Sequence, residues 1–331
     1  MLPNNLNQKS FSLYVQNTTG LKALDQINTI LANYRLKNAL WVLPNDSSDR
    51  HKVLRILKNI YRKRDFNISF VDDFQTTYET KKCDCIVVCG DAKLINEVKQ
   101  KPFPLIMVPF GLLDAFECQN KVVLPSNQIK ESAAELLHFI IDRRLITLTD
   151  EKELSQSMCK ALLEITTSLL ESSFTLLHAT AFAALNHSFE ALQLLKEGSK
   201  EASLEVASTL YLSSICAQNR GPSLLIEFSH SLAVSPFSNI HQGSAAVLPM
   251  LLKSLKEQKK ETYAQFSKAI QFQDPLEFVF EWIEKSSFNN VDTILRNLCS
   301  SSYHLLSQKG NFKALEPILK HCNQKDYNYE R

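Results

Sequence analysis

Two histidines that could carry out acid–base chemistry lie close together in the apolar segment 219–248. His230 and His241 are separated by a Pro-Phe-Ser-Asn turn, and Gln242 and Gly243 follow the second histidine. A run rich in Ala, Val and Leu comes next and has the composition of a buried helix. A histidine at the start of such a helix is well placed to face a cleft as a general acid or base. The other interpretation is that each histidine is hydrogen-bonded within the core, so the residues alone predict a polar site of open chemistry.

This segment resembles the metal-binding region of the superfamily that contains the dehydroquinate synthases and the iron-containing alcohol dehydrogenases. Asn219 and Gly221 fall on the N-x-G of the dehydrogenase pattern. His230 falls on the second histidine of its H-x-x-x-H, and His241 falls on the histidine of its H-G pair. The first histidine, a metal ligand in both families, falls on Ile226, which cannot coordinate a metal. The resemblance therefore implies the loss of one metal ligand.

Another ligand position of this superfamily can be matched in two registers. In the synthase-like register, the stretch beginning IIDRRLITLTDEKEL places the metal-binding glutamate on Lys160, with Glu164 one helical turn later as a residual ligand. In the dehydrogenase-like register, HATAFAALNHSFEAL places His187 on a ligand, Glu190 on a family glutamate and Ala183 on the aspartate ligand. Both registers lose a ligand, because alanine has no donor and a lysine cation opposes a divalent metal. The first register is preferred because it keeps the usual separation along the chain.

The nucleotide loop of the superfamily is reduced here to a single glycine. The strand-like run CIVVC leads into Gly90, Asp91 and Lys93, where the superfamily has a glycine-rich turn. Glycines in such a turn let the backbone approach a pyrophosphate, which the helix N-terminus then binds. Asp91 places a carboxylate where a phosphate would bind, and like charges repel. Gly90, Asp91 and Lys93 remain the candidates for cofactor contacts, but an ordinary turn with Asp91 as the N-cap is the favoured interpretation.

Lys121 is the candidate for contact with an anionic ligand. It matches the lysine of a synthase pattern that Pro109, Leu112 and Leu113 also match, although the hydroxyl and glycine residues of that pattern are missing. A lysine alone can still bind an anion as a point charge. The alternative is an ordinary surface lysine.

Composition excludes several classes of protein. The chain has 331 residues, which is enough for two domains. Its 37 Lys and Arg against 35 Asp and Glu give a net charge of +2, which provides no reason to expect nucleic acid binding. No apolar run reaches the about 18 residues that a membrane-spanning helix needs, and the N-terminus lacks the pattern of a secretory signal. The 8 cysteines show no paired C-x-x-C, so we expect free thiols in a reducing cytoplasm.

Hydrophobic periodicity predicts an α/β half followed by an all-helical half. Strands alternate with helices up to about residue 125, which predicts a parallel sheet with right-handed crossovers. The predicted strands are 11–16, 39–43, 66–71, 85–89 and 105–108. No convincing strand follows Pro125, and helices are predicted to the end of the chain. We therefore predict an α/β nucleotide-binding-like domain over 1–125 and an all-helical domain over 126–331, which is also the Rossmann-like and helical arrangement that the resemblance implies.

The combined substitutions predict a pseudoenzyme. Ile226, Lys160 and the single Gly90 each remove a requirement of metal or NAD chemistry, so no cofactor is expected. Such a protein would use the interdomain cleft to bind a small anionic or sugar-like ligand or a protein partner, and a homodimer is one assembly open to it. The alternative is an enzyme with a rearranged site, using NAD and zinc or iron. It would be a sugar-phosphate cyclase or lyase, or an NAD(P)-dependent polyol or alcohol oxidoreductase, with its site built from Lys121, Lys160, Glu164, His230 and His241.

Overall fold

A six-stranded parallel sheet organises the first part of the chain in the computed structural model. The structure describes residues 16–45, 47–61, 67–70, 74–109, 121–123, 129–146, 151–221, 223–232 and 240–285. The strands are β1 (Gln16–Gly20), β2 (Ala39–Leu43), β3 (Asn67–Phe70), β4 (Cys85–Gly90), β5 (Pro104–Pro109), β6 (Lys121–Val123), β7 (Ile129–Glu131) and β8 (Glu135–Asp142). The sheet order is β1-β8-β5-β4-β2-β3, while β6 and β7 form a separate antiparallel pair.

The strands are continuous apolar runs because helices cover both faces of the sheet. In β2, Leu40 and Val42 point to one face and Trp41 and Leu43 to the other, and all of them are buried. The face of Trp41 packs against a short 3-10 helix (Ala23–Gln26), α1 (Ile27–Asn33) and α2 (Ser47–Tyr61). The opposite face packs against α3 (Phe74–Lys81) and α4 (Ala92–Lys99).

The second part of the chain is helical and is built around one buried helix. Its helices are α5 (Arg143–Ile146), α6 (Glu151–Glu171), α7 (Thr175–Lys196), α8 (Ala202–Arg220), α9 (Leu224–Leu232), α10 (Ile240–Gln258), α11 (Lys260–Ala269) and α12 (Pro275–Lys285). Every residue of α6 from Leu154 to Leu169 is buried. The helices α7, α8, α9 and α10 all pack against α6. None of the described helices combines the length and apolar character needed to cross a membrane.

One hydrophobic core connects the sheet to the helices. The cluster that includes Leu40 and Ile86 of the sheet continues without a break to residues of α6, α8 and α10. At this junction Phe139 of β8 stacks on Tyr211 of α8, with ring centroids 5.7 Å apart. The sheet and the helical region therefore stabilise each other.

The prediction that no strand follows Pro125 is wrong. β8 lies within the sheet between β1 and β5, and β7 precedes it. The sheet thus extends to Asp142, past the predicted boundary at 125, and the division into two domains stays a prediction. The helices α3 and α9 were not anticipated, whereas the strand predicted over 39–43 matches β2. The predicted strand 11–16 overlaps β1 only at Gln16, and the helices predicted for the chain after residue 285 lie outside the described residues.

Candidate functional site

The carboxyl ends of β2 and β4 meet where the order of the sheet reverses. β2 and β4 are neighbours, and the chain continues to β3 on one side and to β5 on the other. In open parallel sheets the loops diverge at such a point and leave a crevice for ligands. Gly90 ends β4 at this crevice, so the structure places the candidate nucleotide turn where the fold can bind a ligand.

The turn after β4 is closely packed and already capped. A Cβ built on Gly90 would lie 2.4 Å from Leu94 Cδ2, so a larger residue at this position would require the Leu94 side chain to move. Asp91 is the N-cap of α4, and its carboxylate accepts a hydrogen bond from the Leu94 N–H at 2.9 Å. Lys93 is exposed in the first turn of α4. The Asp91 carboxylate therefore accepts the hydrogen bond of one amide group that could otherwise bind a phosphate.

A second cluster of polar residues runs along one side of the buried helix α6. Ser157, Lys160, Glu164 and Ser168 recur at intervals of three or four residues, so they share one helical face. All four are buried, and Lys160 is only 1% exposed. Glu171 continues the stripe at the more exposed end of the helix. Burying charged groups is costly unless they are paired.

Arg220 of α8 provides that pairing. Its Nη2 lies 3.0 Å from Oε2 of Glu164, and its Nε lies 3.6 Å from Oε2 of Glu171. The Arg220 side chain is only 6% exposed, and Ser223 donates a hydrogen bond of 2.8 Å to Glu171 Oε1. Gly221 ends α8 with a φ of 85°, a conformation that glycine adopts without strain, and so allows the chain to turn directly after Arg220.

Burial changes the titration of this cluster. It raises the pKa of the Glu171 carboxyl, and the Arg220 charge and the Ser223 hydrogen bond oppose that effect only in part. Burial also raises the pKa of the Cys216 thiol to about 12, so this neighbouring cysteine stays protonated and behaves as a core residue.

The positions that the synthase-like register assigns to a metal do not form a metal site in the described residues. Lys160 has no carboxylate, thiol or imidazole to offer a metal, Ile226 is an apolar side chain that is 5% exposed, and Glu164 is ion-paired with Arg220. His230 lies in α9 and His241 in α10, but their side chains lie outside the described part of the structure.

The residues of the two registers of the resemblance lie on different helices. Lys160 and Glu164 lie on α6, which packs against both α9 and α10. Ala183 is exposed on α7. His187, also on α7, lies 2.8 Å through Nδ1 from Glu205 Oε2 of α8, and with Glu190 they form a partly exposed group whose possible ligand atoms lie within 4.8 Å of one another.

Asn219 and Lys121 are two further residues that the sequence analysis singles out. Asn219 donates a hydrogen bond of 2.9 Å from Nδ2 to the carbonyl oxygen of Ile215, one turn earlier in α8. Lys121 lies in β6, where its backbone pairs with Glu131 of β7, and its side chain lies outside the described part of the structure.

Arg220 is the site residue that the sequence prediction missed. The available indications were an arginine directly before the glycine that ends an apolar helix, and polar residues at helical spacing in α6. Neither pattern identifies the partner of the arginine, because Glu164 and Arg220 lie on different helices.

The parallel sheet followed by the helical region defines a dehydroquinate synthase-like fold, the fold of the iron-containing alcohol dehydrogenases. No protein-family model and no curated protein matches the sequence. Among solved structures, sulfoacetaldehyde reductase from Bifidobacterium kashiwanohense in complex with NAD+ has a TM-score of 0.70 and 14% identity, with 84% of each chain covered. The iron-containing alcohol dehydrogenase from Thermococcus thioreducens has a TM-score of 0.70 and 15% identity, with 89% of this chain and 93% of the other covered. NADH-dependent butanol dehydrogenase A from Thermotoga maritima has a TM-score of 0.69 and 15% identity, covering 94% of this chain and 97% of the other.

These similarities correct the prediction that no cofactor is used. That prediction is wrong, because the structures with this fold include a reductase in complex with NAD+ and an iron-containing alcohol dehydrogenase. The predicted pseudoenzyme also finds no support, since the similar structures are named as reductases and dehydrogenases.

Proposed function

We propose that this protein is an NAD(P)-dependent oxidoreductase that interconverts a small alcohol or polyol and the corresponding carbonyl compound. The observation that carries the proposal is similarity over 84% to 94% of the chain to a reductase in complex with NAD+ and to an NADH-dependent dehydrogenase. The crevice at β2 and β4 supports it, because this is where a parallel sheet of this kind binds a dinucleotide.

The residues at the crevice would hold the dinucleotide in an unusual way. Gly90 allows the backbone and α4 to approach closely, and Lys93 offers an exposed cation in the first turn of that helix. Asp91 opposes a phosphate through its charge but caps the helix. A nicotinamide bound here would exchange a hydride with the substrate.

The substrate would bind between α6, α8, α9 and α10, where the buried polar groups of the helical region lie. Lys160 and Arg220 bring two basic side chains to this region, and Oε2 of Glu164 lies 3.0 Å from the guanidinium. Because the described groups at positions 160, 164 and 226 do not fit a divalent metal, no step of the proposed reaction is assigned to one.

Turnover with a panel of short aldehydes and polyols tests the proposal. We expect purified protein to oxidise NADH or NADPH in the presence of at least one short aldehyde, and NAD+ or NADP+ to raise its melting temperature. The assays are repeated with added Fe2+, with added Zn2+ and with a chelator. No turnover under any of these conditions, together with no thermal shift from either nucleotide, would overturn the proposal.

A further inference from the structure

We propose that His187, Glu190 and Glu205 form a binding site for a divalent transition-metal ion of the Zn2+ class. The three side chains come from the neighbouring helices α7 and α8, and their possible ligand atoms lie within 4.8 Å of one another. The ion links the two helices and stabilises their packing. This site is independent of the proposed reaction, because it takes no part in hydride transfer or in substrate binding.

Helical periodicity and the packing of α7 against α8 place the three side chains together. His187 and Glu190 are three residues apart on α7, so they share one face of that helix. Glu205 lies in the first turn of α8, and its Oε2 lies 2.8 Å from Nδ1 of His187. The adjacent residues Ser188 and Val206 are buried, whereas the cluster itself is partly exposed. The cluster therefore lies at the edge of the contact between the helices, where an ion can enter from solvent.

One imidazole and two carboxylates suit a transition-metal ion better than they suit Mg2+ or Ca2+. Zn2+ binds imidazole nitrogen and carboxylate oxygen at about 2.0–2.2 Å, usually with tetrahedral geometry, whereas Mg2+ and Ca2+ prefer oxygen ligands alone. Ligand atoms on one tetrahedral zinc ion lie roughly 3.3–3.6 Å apart. The observed separations do not exceed 4.8 Å, so small side-chain movements bring the three groups onto one ion. Water fills the fourth position.

The contact between Nδ1 of His187 and Oε2 of Glu205 is the position that the ion takes. An ion bound to Nδ1 replaces the proton of this hydrogen bond, and the imidazole then carries its proton on Nε2. Oε2 stays beside the ion as the second ligand, and the exposed Glu190 supplies the third. Glu201, one turn before Glu205 on α8, is already paired with Arg143 at 3.1 Å. That pairing compensates the charge of the arginine, which would otherwise oppose a cation close by.

This site is separate from the cleft in which the resemblance implies a metal. His187, which the dehydrogenase-like register aligns with a ligand, lies on α7, whereas α6 is the helix that packs against α9 and α10. Glu164 of α6 contacts Arg220, the last residue of α8, and Glu205 lies fifteen residues earlier. At about 1.5 Å per residue, the two ends are roughly 22 Å apart along the helix. Neither register assigns a role to Glu205, so zinc bound here is distinct from a metal in the cleft.

The central experiment follows the imidazole nitrogens of His187 while zinc is added. Protein labelled with 15N-histidine is freed of metal with a chelator, returned to buffer without chelator and titrated with ZnCl2. The His187 signals are assigned by their loss in His187→Gln. We expect the Nδ1 signal to shift and to saturate. A response through Nε2 would mean that Glu205 only orients the ring, which would overturn the site of three ligands. Zinc binding that leaves the His187 signals unchanged would also overturn it.

Glu190→Gln tests the ligand set without disturbing the packing of the helices. Glu190 is exposed, and its change leaves His187 in contact with Glu205, so we expect a folded protein. Its zinc affinity, measured by competition with a coloured chelator, should fall by at least about 10-fold, because even residues that only orient a metal ligand contribute about that much. The matched controls are His178→Gln and Glu197→Gln, a second partly buried histidine of α7 and an exposed glutamate at its end. Both should bind zinc as the wild type does.

Thermal unfolding checks that the ion binds the folded arrangement of α7 and α8. Zinc should raise the melting temperature of the wild type and of both controls by more than that of Glu190→Gln. Equal zinc affinity in the wild type and Glu190→Gln would overturn the inference, and so would a His187 signal that responds over the same range of zinc concentration as that of His178. None of these measurements uses turnover. If no aldehyde is reduced but the expected zinc response is found, the proposed function fails and the metal site stands.

Discussion

At the scale of single residues, the proposed dinucleotide site makes a prediction about the charge of Asp91. Asp91→Asn keeps a side-chain oxygen for the Leu94 N–H but removes the negative charge beside the expected pyrophosphate. Two like charges a few ångströms apart near solvent repel by about 1 kcal/mol or more, so we expect NAD+ to bind the variant several-fold more tightly. Calorimetric titration measures the change, and the difference should shrink as salt is added.

The stability of the same variant provides the control. An aspartate near a helix N-terminus contributes about 0.3–1 kcal/mol through the helix dipole, so Asp91→Asn should be slightly less stable in urea while it binds NAD+ more tightly. Asp91→Ala loses the cap as well and should cost about 1 kcal/mol. Equal or weaker NAD+ binding by Asp91→Asn would show that the pyrophosphate lies elsewhere.

The ion pair between Glu164 and Arg220 makes a second prediction at this scale. Glu164→Gln leaves a guanidinium buried with only the more distant Glu171, so we expect a loss of about 3–5 kcal/mol in the free energy of unfolding. The double change with Arg220→Gln should cost clearly less than the two single changes added together. Urea unfolding of the wild type, the two single variants and the double variant completes a double-mutant cycle, which gives the coupling free energy of the pair.

The surface pair formed by Arg143 and Glu201 is the comparison for that cycle. Arg143 is 27% exposed and the Glu201 side chain is 62% exposed, so this pair should couple by about 1 kcal/mol or less. Additive costs at Glu164 and Arg220 would mean that their charges do not depend on each other in the folded protein.

At the scale of the helices, Asp274 shows how the start of α12 is stabilised. Proline occupies the first position of α12, and Asp274 precedes it as the cap. Its carboxylate accepts from the Leu276 N–H at 3.0 Å, from the Tyr263 hydroxyl, and from Lys256 Nζ at 2.7 Å. Burial raises the pKa of this carboxyl, but the hydrogen bonds from Lys256, Tyr263 and Leu276 outweigh burial and hold the pKa below its usual value.

This depressed pKa predicts an acid-dependent contribution to stability. A carboxyl whose pKa is lower in the folded state stabilises fully above its unfolded pKa of about 3.9, and that stability is lost as the pH falls through the folded value. Asp274→Ala should therefore cost about 1–2 kcal/mol at neutral pH, for loss of the cap and the ion pair. The difference from wild type should narrow below about pH 4. Urea unfolding at a series of pH values checks this, and a constant difference would contradict it.

The sequence predicts elements well where the local pattern has only one explanation. The run over β2 is apolar, short and closed by Pro44 and Asn45, so no helix competes with it. β8 was missed because its sequence, ELLHFIID, suits a buried helix as well as a buried strand. Its identity depends on pairing with β1 and β5, which lie far away along the chain.

In the candidate site too, the sequence predicts the contacts between near neighbours in the chain and not those between distant helices. Asp91 was predicted as a cap because its partner, the Leu94 N–H, is three residues away. The role of Arg220 could not be predicted, because it depends on how α8 packs against α6. Local patterns fix caps and turns, whereas buried ion pairs are fixed by the packing of whole helices.

At the scale of the whole molecule, the shared core argues for one cooperative unit. Leu57 of α2 packs on the face of the sheet that is turned away from the helical region, and Phe139 of β8 packs on the face that contacts it. The two tryptophans report on different regions: Trp41 lies in the sheet and Trp282 in α12. A variant that keeps only Trp41 therefore follows the sheet, and a variant that keeps only Trp282 follows the helical region.

If the two regions unfold together, any loss of core packing must move both fluorescence transitions equally. Leu57→Ala should cost about 2–5 kcal/mol and Phe139→Ala about 3–5 kcal/mol. Each should lower the urea midpoint by the same amount whether Trp41 or Trp282 is observed. Leu57→Ala is the sharper test, because it touches only the far face of the sheet. If it moved the transition of Trp41 and left that of Trp282 in place, the sheet and the helices would be separate folding units, because the contact of Phe139 with Tyr211 would then be too weak to couple them.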